Sequence, residues 1–260
     1  MASAAPFILR NDAEGVATLT MNSPASRNAL TRSGIRDMTA ALDAIRRDDS
    51  IKVVVLAGGG PAFCAGHDLK ELRANPDPTW TRDLFDSCSA MMLAMTRLPQ
   101  PIIARVHGIA TAAGCQLVAT ADLAVASTTA TFATPGVNIG LFCSTPMVAL
   151  ARNVGRKKAL EILLIGRPLS AVDAATAGLI NMAVAPDKLD ETVYGLARAI
   201  SEKSSKILAI GKRAFYEQIE LGLSDSYAYA GAVMARNLLE DDATEGIDAF
   251  LGKRKPVWAK

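Results

Sequence analysis

The chain has 260 residues, is half hydrophobic and only 5% aromatic, and carries a net charge of +2. That length suits one large domain, with or without a smaller appendage, and the near-neutral charge makes no broad electrostatic case for nucleic acid. Four cysteines with no C-x-x-C pair, and only His67 and His107, argue against a zinc cluster and read as reduced thiols of an intracellular protein. The expected location is cytoplasmic. The opening residues show no basic segment followed by a long apolar stretch, so no secretory signal is expected. No apolar run has the length of a membrane span.

Residues 6–22 read as two short strands joined by a loop at 11–15. A helical period follows over 28–47, with Leu30, Ile35, Met38, Leu42 and Ile45 on one face. The apolar run Ile51-Lys-Val-Val-Val-Leu56 reads as a strand that ends in a Gly-rich turn. Asp77 and Pro78 break the chain before a helix at 82–97, which Pro99 and Pro101 stop. Ile102-Ile-Ala-Arg-Val106 is a second strand, leading through another small-residue turn into a helix at 113–120. Residues 122–126 form the next strand. Ser144 and Pro146 predict a hydroxyl-capped helix start. Further helices are expected at 157–164, 171–177 (capped by Ser170) and 189–203, with a short strand at 179–184. From 204 onward the pattern is helical: 207–221, 224–239 and 244–253. The repeated strand–turn–helix order predicts an α/β fold with parallel layering. A boundary falls near 200, and the apolar faces beyond it need a covering surface.

The chemistry centres on two turns, at residues 58–70 and 107–117. A strand that ends in small residues and then opens a helix leaves backbone N–H groups at the positive end of the helix dipole. One such turn alone reads as a tight strand-to-helix connection. Two facing one point would form an oxyanion hole for a carbonyl substrate. The first turn is neither a P-loop nor a dinucleotide fingerprint, since it lacks a Gly-Lys-Ser/Thr ending and the G-x-G-x-x-G spacing.

Together, Ala62-Phe-Cys-Ala-Gly-His-Asp-Leu-Lys-Glu-Leu72 and Gly108-Ile-Ala-Thr-Ala-Ala-Gly-Cys-Gln-Leu117 resemble the two signature segments of the crotonase (enoyl-CoA hydratase/isomerase) superfamily. Ser26-Arg-Asn-Ala-Leu30, Phe132-Ala-Thr-Pro135 and the ending from Gly246 to Trp258 extend the resemblance over nearly the whole chain. It implies a crotonase-like spiral of ββα units. Residues 1–200 would be the core with an acyl-CoA site, and 201–260 a C-terminal helical oligomerisation domain of a homotrimer or dimer of trimers. The implied partner is an acyl-CoA thioester as substrate, with no cofactor, metal, nucleic acid or membrane.

The resemblance also implies the site. The backbone N–H groups of His67 and Ala113 would be the oxyanion donors. Arg27, Ala29, Ala65, Asp68, Leu69, Gly114 and Pro135 would line the substrate channel, and Phe250 and Lys253 would reach a neighbouring subunit's CoA. Asp68 reads as a loop-ordering carboxylate and His107 as structural. The His67 imidazole either takes part or turns away while only its N–H works. Relatives carry two glutamates where this chain has Gln116 and Gly136. An amide and a bare backbone cannot exchange protons, so weak hydration is expected. Glycine at 136 is also open to a φ > 0 conformation. Cys143 lacks a base partner, and Ser144 reads as a cap. The alternatives are a different acyl-CoA reaction (isomerisation or thioester hydrolysis) and a non-catalytic acyl-CoA-binding or scaffold subunit.

Overall fold

The computed structural model describes residues 6–259. Part of the segment behind the secretory-signal expectation, residues 1–5, lies outside them, as does Lys260 at the end of the second expected domain. Strands β1 (Ile8–Ala13) and β2 (Val16–Met21) form an antiparallel hairpin in which Ala13 faces Val16. Glu14 and Gly15 both have φ > 0, the geometry that matches a two-residue turn to strand twist, so the connection is shorter than the composition of 11–15 suggests.

β2 then pairs in parallel with β3 (Val53–Gly58), followed by β5 (Ile102–Val106), β7 (Leu123–Ser127) and β10 (Met182–Val184). β3 is buried at every residue, as a parallel strand covered on both faces should be. A second sheet has the order β4 (Ala62–Cys64), β6 (Ile109–Thr111), β8 (Thr131–Ala133) and β9 (Leu169–Ser170). The sequence did not announce these strands. Each spans two or three residues, too few for any period to show. A strand of the large sheet therefore feeds a short strand of the small one. Twice a helix follows: α2 (Leu69–Ala74) after β4 and α4 (Ala113–Thr120) after β6.

The main core lies between the large sheet and α1 (Arg32–Arg46), α3 (Pro78–Thr96) and α4. α1 buries Ile35, Met38, Leu42 and Ile45, and Thr31 Oγ1 accepts from the Gly34 N–H at 3.0 Å. It begins later than the periodicity suggests because Asn28 is left-handed. α3 begins earlier than expected. Asp77 accepts from the Trp80 N–H and Pro78 occupies the first turn, so the apparent break is the helix cap. α5 (Ser144–Asn153) has Ser144 as its first residue, with Cys143 in the cap position and no side-chain cap, which corrects the reading of Ser144. α6 (Arg156–Ile165) and α7 (Ala171–Ala177) follow. α8 (Leu189–Ser201) covers the other sheet face, packing Leu189, Val193 and Ala197 on Val53, Val55, Ile103 and Val125.

The tail is α9 (Ser205–Gln218), α10 (Leu223–Asn237) and α11 (Asp241–Leu251). α9 and α10 contain no fully buried residue, and Leu223, Tyr227, Met234 and Leu239 are exposed.

Candidate functional site

The first turn runs from the end of β4 through Ala65, Gly66 and His67 to Asp68, the N-cap of α2. The Asp68 carboxylate accepts from the N–H groups of Lys70 (2.8 Å) and Glu71 (3.0 Å), so it orders the turn. The second turn has one residue, Ala112, between β6 and α4. Ala112 has φ 50° and ψ −117°, a strained conformation for a residue with a Cβ, and its N–H is pinned to the Ala133 carbonyl at 2.9 Å.

The two turns interlock. Gly66 has φ +89°, and a Cβ there would lie 2.8 Å from the Ala112 Cβ and 3.2 Å from the Ala113 nitrogen. A Cβ on Gly114 would lie 2.1 Å from the Cys64 carbonyl oxygen. Each turn thus fits the other only because one residue in it lacks a side chain. Thr111 Oγ1 adds a bond to the Ala65 carbonyl at 3.0 Å. Ala113 is the first residue of α4, so its N–H has no intrahelical acceptor. The His67 N–H is also spared. The bridge between this segment and Leu30 runs from the Leu30 N–H to the Gly66 carbonyl (2.7 Å) and from the Asp68 N–H to the Leu30 carbonyl (3.0 Å).

That bridge brings in the first loop. The Ala65 N–H donates to the Arg27 carbonyl at 3.0 Å. The structure therefore gathers exposed Arg27, buried Ala29, half-buried Ala65, His67 and Asp68, and exposed Leu69 along one turn. Asn28 is the residue sequence reasoning left out. Buried and left-handed, it donates from Nδ2 to the carbonyls of Gly59 (2.8 Å), Ala62 (2.9 Å) and Phe63 (3.1 Å). Its signal was an asparagine, a residue that tolerates this backbone, inside the Ser26–Leu30 motif.

His67 packs edge-on against Phe85, with ring centroids 5.1 Å apart. Burial pushes its imidazole down to about 4, so it is neutral around pH 7 rather than near its titration point. Its Nε2 is buried without a partner among the described residues. His107 Nε2 pairs with the Gly60 carbonyl at 2.8 Å, in keeping with the structural reading, while its Nδ1 is buried with no partner among the described residues.

Gln116 lies one helical turn beyond Ala113 and is 5% exposed, with its Oε1 unpartnered among the described residues. Half-buried Pro135 opens a 3-10 turn, Pro135–Ile139, that contains buried Gly136. Gly136 does not have φ > 0, which corrects the expected reason for a glycine there. The constraint is space: a Cβ would lie 2.8 Å from the Leu141 carbonyl oxygen and 3.0 Å from Cys143 Sγ. Burial raises the Cys143 thiol above its ordinary range and pushes Cys64 and Cys115 up to about 12, which disfavours thiolates. Phe250 and Lys253 are exposed, on and just past α11, which packs on α9.

Residues 11–260 match the model of a family described as enoyl-CoA hydratase/isomerase. The chain belongs to this family. Enoyl-CoA hydratase domain-containing protein 3 of Rattus norvegicus, described as mitochondrial, is 43% identical over 246 residues, 95% of this chain and 82% of the relative. The crystal structure of the human protein of that name is 42% identical, covering 97% of this chain and 100% of that one, with a TM-score of 0.94. The crystal structure of an enoyl-CoA hydratase from Mycobacterium smegmatis is 51% identical, covering 98% of this chain and 99% of that one, with a TM-score of 0.96. These neighbours carry the crotonase fold, and the paired sheets with their ββα units are this family's spiral. The names also correct the cytoplasmic expectation, because relatives at 43% identity are described as mitochondrial. Four buried cysteines outside any disulfide do not by themselves choose among compartments.

Proposed function

We propose that this enoyl-CoA hydratase/isomerase family member binds an acyl-CoA thioester and polarises its carbonyl with the backbone N–H groups of His67 and Ala113. The carrying observation is the interlock of Gly66 with Ala112 and Ala113, which holds two unused N–H donors on adjacent turns. Fixed donors aimed at a developing enolate oxygen need no reorganisation as charge appears, and one such donor contributes roughly 3–4 kcal/mol to a transition state. Arg27, Ala29, Ala65, Asp68, Leu69, Gly114 and Pro135 border the channel. Phe250 and Lys253, on the exposed tail, serve a neighbouring subunit of a trimer or dimer of trimers.

Hydration adds hydroxide at one carbon and a proton at its neighbour. Gln116 and Gly136 can carry neither proton, and positioned acid–base groups contribute roughly 10²–10⁴-fold each. Hydration of crotonyl-CoA is therefore expected at a small fraction of the rate of a two-glutamate relative, whereas binding and enolate stabilisation persist. The decisive measurement is loss of the enoyl thioester absorbance for the wild type, Gln116→Glu, Gly136→Glu and the double variant. Gln116→Glu alone should raise the rate. Gly136→Glu should lower stability, because its Cβ meets the Leu141 backbone. Robust wild-type hydration that survives Gln116→Ala would refute the assignment of roles.

A further inference from the structure

Outside the acyl-CoA site, one ammonium group gathers the chain. Lys212, on α9, has a side chain only 7% exposed. Its Nζ donates to the carbonyls of Met95 (3.1 Å) and Gln100 (3.0 Å) and to Asp122 Oδ2 (2.7 Å). Asp122 Oδ2 also accepts from the Ile102 N–H at 2.6 Å, and Oδ1 accepts from the Tyr216 hydroxyl at 2.9 Å. All three ammonium protons and both carboxylate oxygens are engaged.

The placement matters as much as the bonds. Ile102 is the first residue of β5, and Asp122 follows Ala121, the C-cap of α4. β6 and the second turn lie between these two elements in the chain, so the cluster grips both at their far ends. The partner gripping them is a tail helix with no fully buried residue of its own.

We propose that Lys212, with Tyr216, is a positioning residue that latches the tail onto Asp122 and so couples docking of α9 to the placement of β5 and α4. A buried charge pair that loses one partner leaves the other charge unpaired and desolvated, which is far more costly than its presence is stabilising. Undocking the tail would therefore release the Asp122 carboxylate and with it the Ile102 N–H and the end of α4. The consequence for the acyl-CoA site rests on the oxyanion reading above, whereas the mechanical coupling stands without it.

The test is hydrogen–deuterium exchange on the full chain in its solution assembly, comparing wild type, Lys212→Met and Tyr216→Phe. In Lys212→Met, peptides from 205–218 and from 102–120 should exchange together about 10²-fold faster, with peptides from the β1–β2 hairpin, which does not pair with β5, near their wild-type rates. Tyr216→Phe keeps the charge pair and should shift the same peptides by a smaller factor, which preserves the test if Lys212→Met fails to fold. The proposal is overturned if α9 loosens while 102–120 stays protected, if β1 and β2 loosen by the same factor, or if neither region changes. Loss of acyl-CoA binding by the wild type would sink the proposed function without touching these outcomes.

Discussion

Gly114 and Gly66 show how much of this site rests on side chains that are absent. At Gly114 an added methyl would meet the Cys64 carbonyl at 2.1 Å, and that partner is strand backbone that cannot turn aside. Gly114→Ala should cost more than about 3 kcal/mol, beyond ordinary overpacking, measured as the shift in urea midpoint. Wild-type stability in that variant would mean that β4 and α4 are not held at this separation. His67 carries a second expectation. Its imidazole drops from 6.5 to about 4 on burial, so the unfolded chain binds the extra proton first as pH falls. The sign follows: stability is full above about pH 6.5 and declines as pH falls toward 4, by on the order of 3 kcal/mol from this group. His67→Gln should flatten that part of the stability–pH curve, and an unchanged slope would place the imidazole in water.

At the scale of elements, caps and turns do the positioning. α2 is a short helix whose first turn depends on Asp68 accepting from two N–H groups. Asp68→Ala should remove about 1 kcal/mol and fray α2. By the proposed function it should also weaken butyryl-CoA binding, read by calorimetry, because Leu69 and the chain after His67 border the channel. Binding unaffected by this change would exclude α2 from the channel wall. The elements that were hardest to read are β4, β6, β8 and β9. With two or three residues each they are too short for an alternation to show, and they become strands only because a neighbouring segment supplies the ladder.

For the whole molecule, the tail sets the expectation. α9 and α10 leave Phe215, Leu223, Tyr227 and Met234 exposed, apolar side chains of the kind that a partner surface covers. With a chain mass of 27.3 kDa, light scattering at micromolar concentration should report three or six chains per particle. A monodisperse single chain would remove the neighbouring-subunit role of Phe250 and Lys253.

The amino-acid pattern by itself determined the parallel layering, most of the helices, the two turns and the family, because periodicity, Gly/Ala punctuation and motif order are local properties of the chain. It also determined that Gln116 and Gly136 cannot exchange protons, since that follows from side-chain chemistry alone. Only the tertiary structure decided why Gly136 is a glycine, why Asn28 matters and why His67 is neutral. Each of those depends on a group that only the folded backbone brings close: the Leu141 carbonyl and Cys143 thiol, the Gly59–Phe63 carbonyls, and Phe85 with the surrounding desolvation. The Lys212–Asp122 pair reaches further still, joining residues 90 positions apart. No local pattern distinguishes a lysine bound for water from one bound for the interior. That choice is made when the tail folds back and its ammonium must find three acceptors in place of water.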